Sequence, residues 1–237
     1  MEDLKKQIKV AIDALKDQRV EEAEDLTKNL ISKNPNTVFL YNLLGLILMK
    51  QKKTDQAIEW YEKGIKIDPS FAMIYNNLGL LFFESKTANY IEKAKSYYKK
   101  AISLDKKISE PHNNLGTLYN SLNNIEEAIV CYKKALDLNP KFSFAHHNLG
   151  SAYISIGKFN DARKHFKESI RLNPDFMDPH RSLSRLTKYT EKDEHFKELK
   201  ELYKDTNNKN SEKRIELGFA LGKAYEDIKN FDKSFTY

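Results

Sequence analysis

The fold is decided by residues 109–142, which read SEPHNNLGTLYNSLNNIEEAIVCYKKALDLNPKF. Leu115, Leu118 and Leu122 recur at the i, i+3, i+7 spacing of one helix face. The residues at 123–124 are both Asn and supply a turn, and Pro140 disfavours helix at the residue before it. The stretch therefore predicts two helices, at about 111–122 and 125–138, joined by a tight turn.

Small and large residues recur along the whole chain with the length of this stretch as their period. Three series share spacings of 34 residues with a single 37-residue step. They are Ala11, Gly45, Gly79, Gly116, Gly150 and Ser184; Ala23, Ala57, Ala94, Ala128 and Ala162; and Thr27, Tyr61, Tyr98, Tyr132 and Phe166. The longer step predicts a three-residue insertion near Lys86, Thr87 and Ala88. Because a larger side chain would hold two crossing helices apart, we expect the small residues at the crossings and the large ones beside them.

The order of these residues resembles the tetratricopeptide repeat, a 34-residue helix–turn–helix with Leu-Gly, Tyr, Ala, an aromatic residue, Ala and Pro at fixed positions. In residues 109–142 they are Leu115, Gly116, Tyr119, Ala128, Tyr132, Ala135 and Pro140. The resemblance implies an all-α fold, a right-handed superhelical solenoid of stacked antiparallel helix pairs, because a single pair cannot bury its apolar face. We expect five regular units, at 4–37, 38–71, 72–108, 109–142 and 143–176, then a degenerate sixth helix pair at 177–210 and an incomplete seventh unit at 211–237.

The C-terminal part departs from the pattern. The second helix of the sixth pair, at about 192–203, lacks the central Ala, residues 207–210 read as a polar loop, and Ser211 fits an N-cap. Because solenoids usually end in a polar capping helix, we expect the natural chain to continue beyond Tyr237. Residues 180–189 and 220–235 also resemble the repeat region of bacterial proteins in which tetratricopeptide repeats precede a sulfotransferase domain.

Composition limits the class of function. The chain has 237 residues, of which 40% are apolar, enough to bury a core. Its net charge of +6 comes from Lys residues interspersed with Glu, which argues against a nucleic-acid surface. No apolar run approaches the ~20 residues that span a bilayer, and the N-terminus lacks a secretory signal. We therefore expect a cytoplasmic protein, bacterial by its resemblance, with no membrane contact and no cofactor.

The resemblance implies that the first helix of each pair lines a concave groove that binds a peptide or a partner segment. The polar groove positions are Asn42, Asn76, Asn77, Asn113, Asn114, His147 and Asn148, and the apolar ones include Phe39, Met73, Phe83 and Phe144. Asn amides at a fixed spacing can pair with a peptide backbone, or they can satisfy contacts between helices. The apolar side chains can form pockets for a partner or pack between units.

One known mode of binding in the family does not fit. Some members hold the C-terminal carboxylate of chaperones with a clamp of Lys, Arg and Asn side chains. The corresponding positions here are Phe39, Met73, Glu110 and Phe144. Because the cations are missing, we do not expect this chain to bind chaperone C-termini.

The sequence offers no catalytic residues and no metal ligands in a convincing pattern. His112, His146 and His180 occupy one slot in successive repeats, which they share with Tyr41 and Tyr75. Packed helices lie about 8–10 Å apart, whereas zinc needs each nitrogen at about 2 Å, so we predict packing residues rather than a metal site. Cys131 is also predicted to pack as a small residue, and a lone cysteine cannot form a disulfide within one chain.

These observations predict a non-enzymatic scaffold that binds a protein or peptide partner in its groove. One alternative is the substrate-recruiting repeat region of a larger transferase, of the sulfotransferase or O-linked N-acetylglucosamine transferase type, whose catalytic domain is absent here. A second alternative is a self-assembling scaffold, in which exposed Phe235 and Tyr237 at the C-terminal end stack on another copy.

Overall fold

The computed structural model of the protein describes residues 2–86, 89–206 and 211–236, and all regular structure in these ranges is α-helical. The helices are α1 (Glu2–Lys16), α2 (Val20–Lys33), α3 (Val38–Lys50), α4 (Thr54–Ile67), α5 (Ala72–Ser85), α6 (Tyr90–Leu104), α7 (Glu110–Ser121), α8 (Ile125–Leu138), α9 (Ser143–Ser155), α10 (Phe159–Leu172), α11 (Met177–Leu186), α12 (Glu194–Asp205), α13 (Ser211–Asp227) and α14 (Phe231–Ser234). Thr87 and Ala88 of the predicted insertion, the predicted loop at 207–210, the side chain of Ser211, and Tyr237 lie outside the described part.

The helices fall where the periodicity places them, with one exception. The two helices of the deciding stretch span Glu110–Ser121 and Ile125–Leu138, within one residue of expectation. The second helix of the sixth pair begins at Glu194 rather than near Lys192. The reason is local, because the Asp193 carboxylate accepts hydrogen bonds from the Thr190 backbone N–H, at 2.6 Å, and from the Thr190 hydroxyl, at 2.8 Å. These bonds hold residues 190–193 in a turn.

The chain forms two compact units, residues 1–118 and 119–237. In the first unit, α1 packs on α2, α3 on α4 and α5 on α6, while α2–α3 and α4–α5 contacts join successive pairs. In the second unit, α8 packs on α9, α9 on α10, and α10 on α11, followed by α11–α13 and α12–α13 contacts. Within each unit, helices that are close in sequence therefore pack on one another, and the predicted all-α fold of stacked helix pairs is confirmed.

A buried aromatic ring from the second helix lies directly over the glycine of the first helix. A Cβ placed on Gly45 would lie 2.2 Å from the ring of Tyr61, and one on Gly79 or Gly150 would lie 2.6 Å from Tyr98 or 2.7 Å from Phe166. All three rings are fully buried. The glycines thus let the two helices of a pair approach until the ring fills the space between them.

The first repeat has the same contact between its first and second helices, but without the glycine and the aromatic ring. It has Ala11 where later repeats have Gly, and it has Thr27 where later repeats have an aromatic ring. Both residues are fully buried, and the Thr27 hydroxyl donates a hydrogen bond of 2.7 Å to the Ala23 carbonyl. The extra methyl group at position 11 is accommodated because no ring has to lie over it.

A second recurring contact joins the first helix of a pair to the proline that ends the preceding helix. The Tyr41 hydroxyl donates to the Pro35 carbonyl, at 2.8 Å. At the same repeat position, Nε2 of His180 donates to the carbonyl of Pro174, at 3.0 Å. The equivalent bonds are Tyr75 to Pro69, at 3.1 Å, and His146 to Pro140, at 3.1 Å. His146 and His180 thus occupy the tyrosine slot as packing residues that also hydrogen-bond to the backbone.

Within the described ranges, no helix is both long and apolar enough to cross a bilayer.

Replacing Gly45 with Ala should destabilise the protein by about 1–3 kcal/mol, because the new methyl group would overlap the buried Tyr61 ring. Gly222, in α13, is the matched control, since a Cβ there would meet only the Ser234 carbonyl, at 3.4 Å. Gly222→Ala should be neutral or slightly stabilising, because Ala is the better helix former. Urea denaturation followed by circular dichroism measures both changes, and equal midpoints for the two variants would contradict the packing argument.

Candidate functional site

Five predicted groove residues of the first unit form one continuous chain of side-chain amide hydrogen bonds. Asn113 donates to Asn114 at 3.3 Å, and Asn114 donates to Asn76 at 2.9 Å. Asn76 then donates to Asn77 at 3.2 Å, and Asn77 donates to Asn42 at 2.8 Å. We call these five residues the asparagine chain. It runs across α7, α5 and α3, the first helices of three successive pairs.

The asparagine chain is largely buried. Asn42, Asn76, Asn77 and Asn113 are only 3–6% exposed, and Asn114 is half-buried. Each interior amide uses its carbonyl and one N–H within the chain, and a buried amide left without its partner costs about 1–3 kcal/mol. Of the two predicted roles for these amides, the geometry favours contacts between helices over pairing with the backbone of a bound peptide.

The exposed groove residues of the first unit are apolar. Phe39, in the first turn of α3, is 38% exposed. Met73, one repeat later, is half-buried, as is Phe83, whose ring lies 6.4 Å from that of Tyr90. A partner approaching this face would therefore meet hydrophobic side chains before it met the amides.

The corresponding surface of the second unit is an aromatic cluster. The ring of Phe144 lies 4.6 Å from that of Phe176 and 6.4 Å from that of Phe142, and His147 lies 5.1 Å from Phe176. We call these four residues the aromatic cluster. Phe144 is 47% exposed, so the cluster presents an apolar ring to solvent. Asn148, the next predicted groove residue, is half-buried.

His147 contributes an unusual polar atom to the aromatic cluster. Its Nδ1 is buried and has no hydrogen-bond partner among the described residues. Burial lowers the pKa of His147, while Asp178 raises it and Arg181 lowers it. The ring therefore favours its neutral form, in which one nitrogen can donate and the other can accept a hydrogen bond.

Sequence reasoning missed two members of the aromatic cluster, Phe142 and Phe176. Each is the residue just before a first helix of a pair, at Ser143 and Met177 respectively. The signal was present, because Phe71 stands at the same position before α5 and the three positions follow the repeat spacing. A phenylalanine therefore precedes α5, α9 and α11, whereas Thr37 and Ser109 stand before α3 and α7.

The histidines in the tyrosine slot also have partners that the sequence reasoning missed. The rings of His146 and His165 lie 5.2 Å apart, as do those of His180 and His195. Tyr41 pairs with Trp60 and Tyr75 with Tyr97 in the same way, at 5.8 and 6.5 Å. Each pair joins a residue of the first helix to one of the second helix. His112, in the corresponding slot of α7, is half-buried.

Cys131 lies in α8 at the repeat position of the aromatic partners Trp60, Tyr97 and His165. The thiol is half-buried, and its pKa is raised to about 11 by burial and by the charge of Glu127. A thiol with a raised pKa stays protonated near neutral pH and is a poor nucleophile. The structure thus supports the predicted packing role of Cys131.

Comparisons with known proteins agree with this geometry. A TPR repeat family model matches residues 45–86, and tetratricopeptide repeat models match 72–108, 109–142 and 143–176. A search of curated protein sequences found no match. None of the family models matches beyond residue 176, and the resemblance of the C-terminal part to repeats that precede a sulfotransferase domain stays a prediction.

Three solved structures with the same fold share 16–18% sequence identity with this chain. TTC0263, a thermophilic TPR protein of Thermus thermophilus, matches with a TM-score of 0.67 at 18% identity, covering 77% of this chain and 98% of its own. PilF of Pseudomonas aeruginosa matches with a TM-score of 0.67 at 16% identity, over 99% of this chain and 97% of its own. YrrB, described as a TPR protein with an unusual peptide-binding site, matches with a TM-score of 0.53 at 17% identity, over 89% and 96%.

His165 should make the stability of the protein depend on pH. The pKa of His165 is lowered from 6.5 to about 4, first by burial and then by the nearby His146. Asp161 opposes this shift, whereas Lys133 and Lys164 add to it. The folded state therefore favours neutral His165, so its contribution to stability is complete above about pH 6.5 and is lost as the pH falls toward about 4.

His165→Phe keeps an aromatic ring beside Tyr153, 5.6 Å away in the native protein, but cannot take up a proton. Between about pH 7 and about pH 5, the variant should lose less stability than the native protein. Urea denaturation at the two pH values measures both losses. If the losses are equal, His165 is not a source of the pH dependence.

Proposed function

Because residues 45–176 are tetratricopeptide repeats, the chain belongs to the tetratricopeptide-repeat proteins, and we propose that it is a non-enzymatic scaffold that binds an extended segment of a partner protein. In each unit, the first helices of the pairs would form a binding face. The contact residues that we propose are Phe39, Met73 and Phe83 in the first unit, and Phe144, His147 and Asn148 in the second.

The observation that supports this proposal most directly is the exposure of aromatic rings at one repeat position. Phe39 and Phe144 both stand in the first turn of a first helix, and they are 38% and 47% exposed. Met73 occupies the same position between them in sequence. Exposed aromatic side chains on an otherwise well-packed surface are typical anchors for a partner, because their burial on binding contributes much of the binding energy.

The asparagine chain has a supporting role in this proposal. Two of its four hydrogen bonds, from Asn77 to Asn42 and from Asn114 to Asn76, join neighbouring first helices and hold three of these helices in register. The apolar side chains beside them therefore keep fixed positions. A preorganised surface loses less conformational entropy on binding than a mobile one. Replacing these asparagines would disturb the scaffold itself, so the surface aromatics provide the cleaner test of binding.

The comparisons support peptide binding at the level of the fold. YrrB, which shares the fold of this chain, is described as having an unusual peptide-binding site. The transferase alternative rests on sequence resemblance alone. It would gain support if the natural chain continued past Tyr237 into a donor-binding domain.

Phe39→Ala should weaken array-selected peptides that bind the first unit about tenfold or more, and Phe144→Ala should do the same for peptides that bind the second unit. A tenfold change corresponds to ~1.4 kcal/mol. Peptides are first selected on a random-sequence array with the native protein. Their affinities for each variant are then measured by fluorescence anisotropy. The effect is expected because each substitution removes an aromatic ring that the partner would bury.

Matched controls come from exposed residues away from the proposed face. Phe159, at the start of the second helix α10, is 48% exposed against 47% for Phe144, and Leu122, in a turn, is 37% exposed against 38% for Phe39. Phe159→Ala and Leu122→Ala should leave the affinities unchanged. If the controls weaken binding as much as the groove variants do, the partner binds elsewhere and the proposed face is wrong.

Self-association is the second candidate function, and exposed apolar residues near the C-terminus favour it. Phe235 is 90% exposed and Phe219, on α13, is 67% exposed. If this surface binds another copy, the molar mass measured by light scattering should rise with protein concentration, and Phe219→Ser with Phe235→Ser should abolish the rise. A constant monomer mass over the same concentrations would count against self-association.

A further inference from the structure

Two imidazoles and a carboxylate converge between α11 and α12 in the second unit. One donor atom from each of His180, His195 and Glu198 lies within 4.8 Å of the others. His195 and Glu198 are three residues apart on α12, so they share one face of that helix. We propose that these three side chains bind one Zn²⁺ ion, or a similar first-row divalent metal ion, through Nδ1 of His180, Nε2 of His195 and a carboxylate oxygen of Glu198.

In both histidines, the ring nitrogen that faces away from the proposed ion has a hydrogen-bond partner, as expected for a metal ligand. Nε2 of His180 lies 3.0 Å from the Pro174 carbonyl oxygen, which can only accept, so this nitrogen carries the proton and Nδ1 presents its lone pair. Nδ1 of His195 lies 2.6 Å from the Tyr189 hydroxyl. Ligand histidines are almost always oriented in this way, with the second ring nitrogen bonded to a carbonyl or another polar group.

Binding requires a change of tautomer but no loss of a proton from the histidine pair. Without metal, Nε2 of His195 donates to Nδ1 of His180 across 3.0 Å, and the Tyr189 hydroxyl donates to Nδ1 of His195. With metal, the His195 proton resides on Nδ1 and is donated to the Tyr189 oxygen, while the hydroxyl proton turns away. Both facing nitrogens then offer lone pairs to the same ion.

Packing of the two imidazole rings on each other would explain the contact between His180 and His195, but it does not explain why the Glu198 carboxylate lies beside them. Its carboxylate is half-buried and has no hydrogen bond or ion pair among the described residues. Unpaired carboxylates are costly to bury, and a bound cation would satisfy this one. Within residues 2–86, 89–206 and 211–236, no other group of three or more His, Cys, Asp or Glu side chains has this spacing.

The distances are close to those that tetrahedral zinc needs. With zinc–nitrogen bonds of about 2.0–2.1 Å, two ligand nitrogens lie about 3.4 Å apart. The facing nitrogens of His180 and His195 are 3.0 Å apart, so they need to separate by only a few tenths of an ångström. Glu198 would approach by rotation of its side chain, which has space because it borders a cleft.

That cleft provides access from solvent. It has a volume of about 820 Å³, and both His195 and Glu198 line it. It opens because seven residues, 187–193, join α11 to α12, whereas three residues join the helices of the regular pairs, such as 156–158 between α9 and α10. Three protein ligands leave a fourth position open, as in many catalytic zinc sites. Lys167 and Lys192 also line the cleft and would favour an anionic fourth ligand, such as a carboxylate.

The preceding repeat provides an internal control. His146 and His165 have the same ring separation of 5.2 Å, and their Nδ1 atoms lie 2.9 Å apart. No carboxylate completes a three-ligand group with them in the described part of the chain. A site that needs Glu198 should therefore bind metal at His180 and His195, and not at His146 and His165.

The test is a titration of chelator-stripped protein with ZnCl₂ near neutral pH, followed by isothermal calorimetry and by the thermal unfolding temperature. Native protein and His165→Phe should each bind one equivalent and unfold at a higher temperature with zinc. Glu198→Gln should bind at least about tenfold more weakly, and His195→Phe should not bind. Co²⁺ should give the visible absorption bands of a tetrahedral site in the native protein but not in His195→Phe.

Three results would overturn the proposal. The first is the absence of zinc binding by native protein at micromolar concentrations. The second is unchanged affinity in Glu198→Gln, and the third is an equal loss of affinity in His165→Phe, which would indicate unspecific binding by other imidazoles. If His195→Phe does not fold, as judged by circular dichroism, Glu198→Gln decides the question, because it keeps the size and shape of the side chain.

Discussion

The contact between a glycine on the first helix and an aromatic ring on the second is the constraint on which the repeats depend. Where Tyr61, Tyr98 and Phe166 lie over Gly45, Gly79 and Gly150, the separation of the two helices is set by the thickness of a ring. That separation brings the remaining apolar residues into contact, so that a shared core joins α1, α2 and α3 in the first unit and α8, α9, α10 and α11 in the second. In the first repeat both partners change in concert, because the larger Ala11 replaces the glycine and the smaller Thr27 replaces the aromatic ring.

Hydrogen bonds between helices, and between helices and turns, fix the orientation of the packed helices. Hydrogen bonds from Tyr41 and His180 to the carbonyls of Pro35 and Pro174 fix a first helix against the turn that precedes it. In the first unit, the asparagine chain joins the first helices of three pairs through buried amides. Because these amides bind each other, the surface left for a partner is mainly aromatic and apolar. In the first unit, the repeated asparagines thus stabilise the binding face that we propose, on which Phe39 is exposed.

The sixth helix pair keeps the small residue Ser184 on its first helix, but its second helix has Phe196 where regular pairs have the central Ala. Lys200 stands sixteen residues after Ser184, where a regular repeat has its buried ring. Phe196 and Leu199 are buried instead, in a core shared with Leu217, Leu221 and other residues of α13. The longer connection between α11 and α12 leaves a cleft, with His195 and Glu198 at its edge. The loss of regular packing is therefore what places chemically active side chains next to solvent.

The sequence by itself determined the repeat, the helix pairs and the buried partners of the first and second helices, because a fixed period repeats the same local packing in each unit. It also identified the slot shared by Tyr41 and His180. Only the tertiary structure decided what these side chains bind. The asparagine bonds join residues 35 and 38 positions apart, and His180 meets His195 across an irregular connection that breaks the period. Periodicity predicts which residues share a position, but contacts across an irregular segment depend on the path that the backbone takes there.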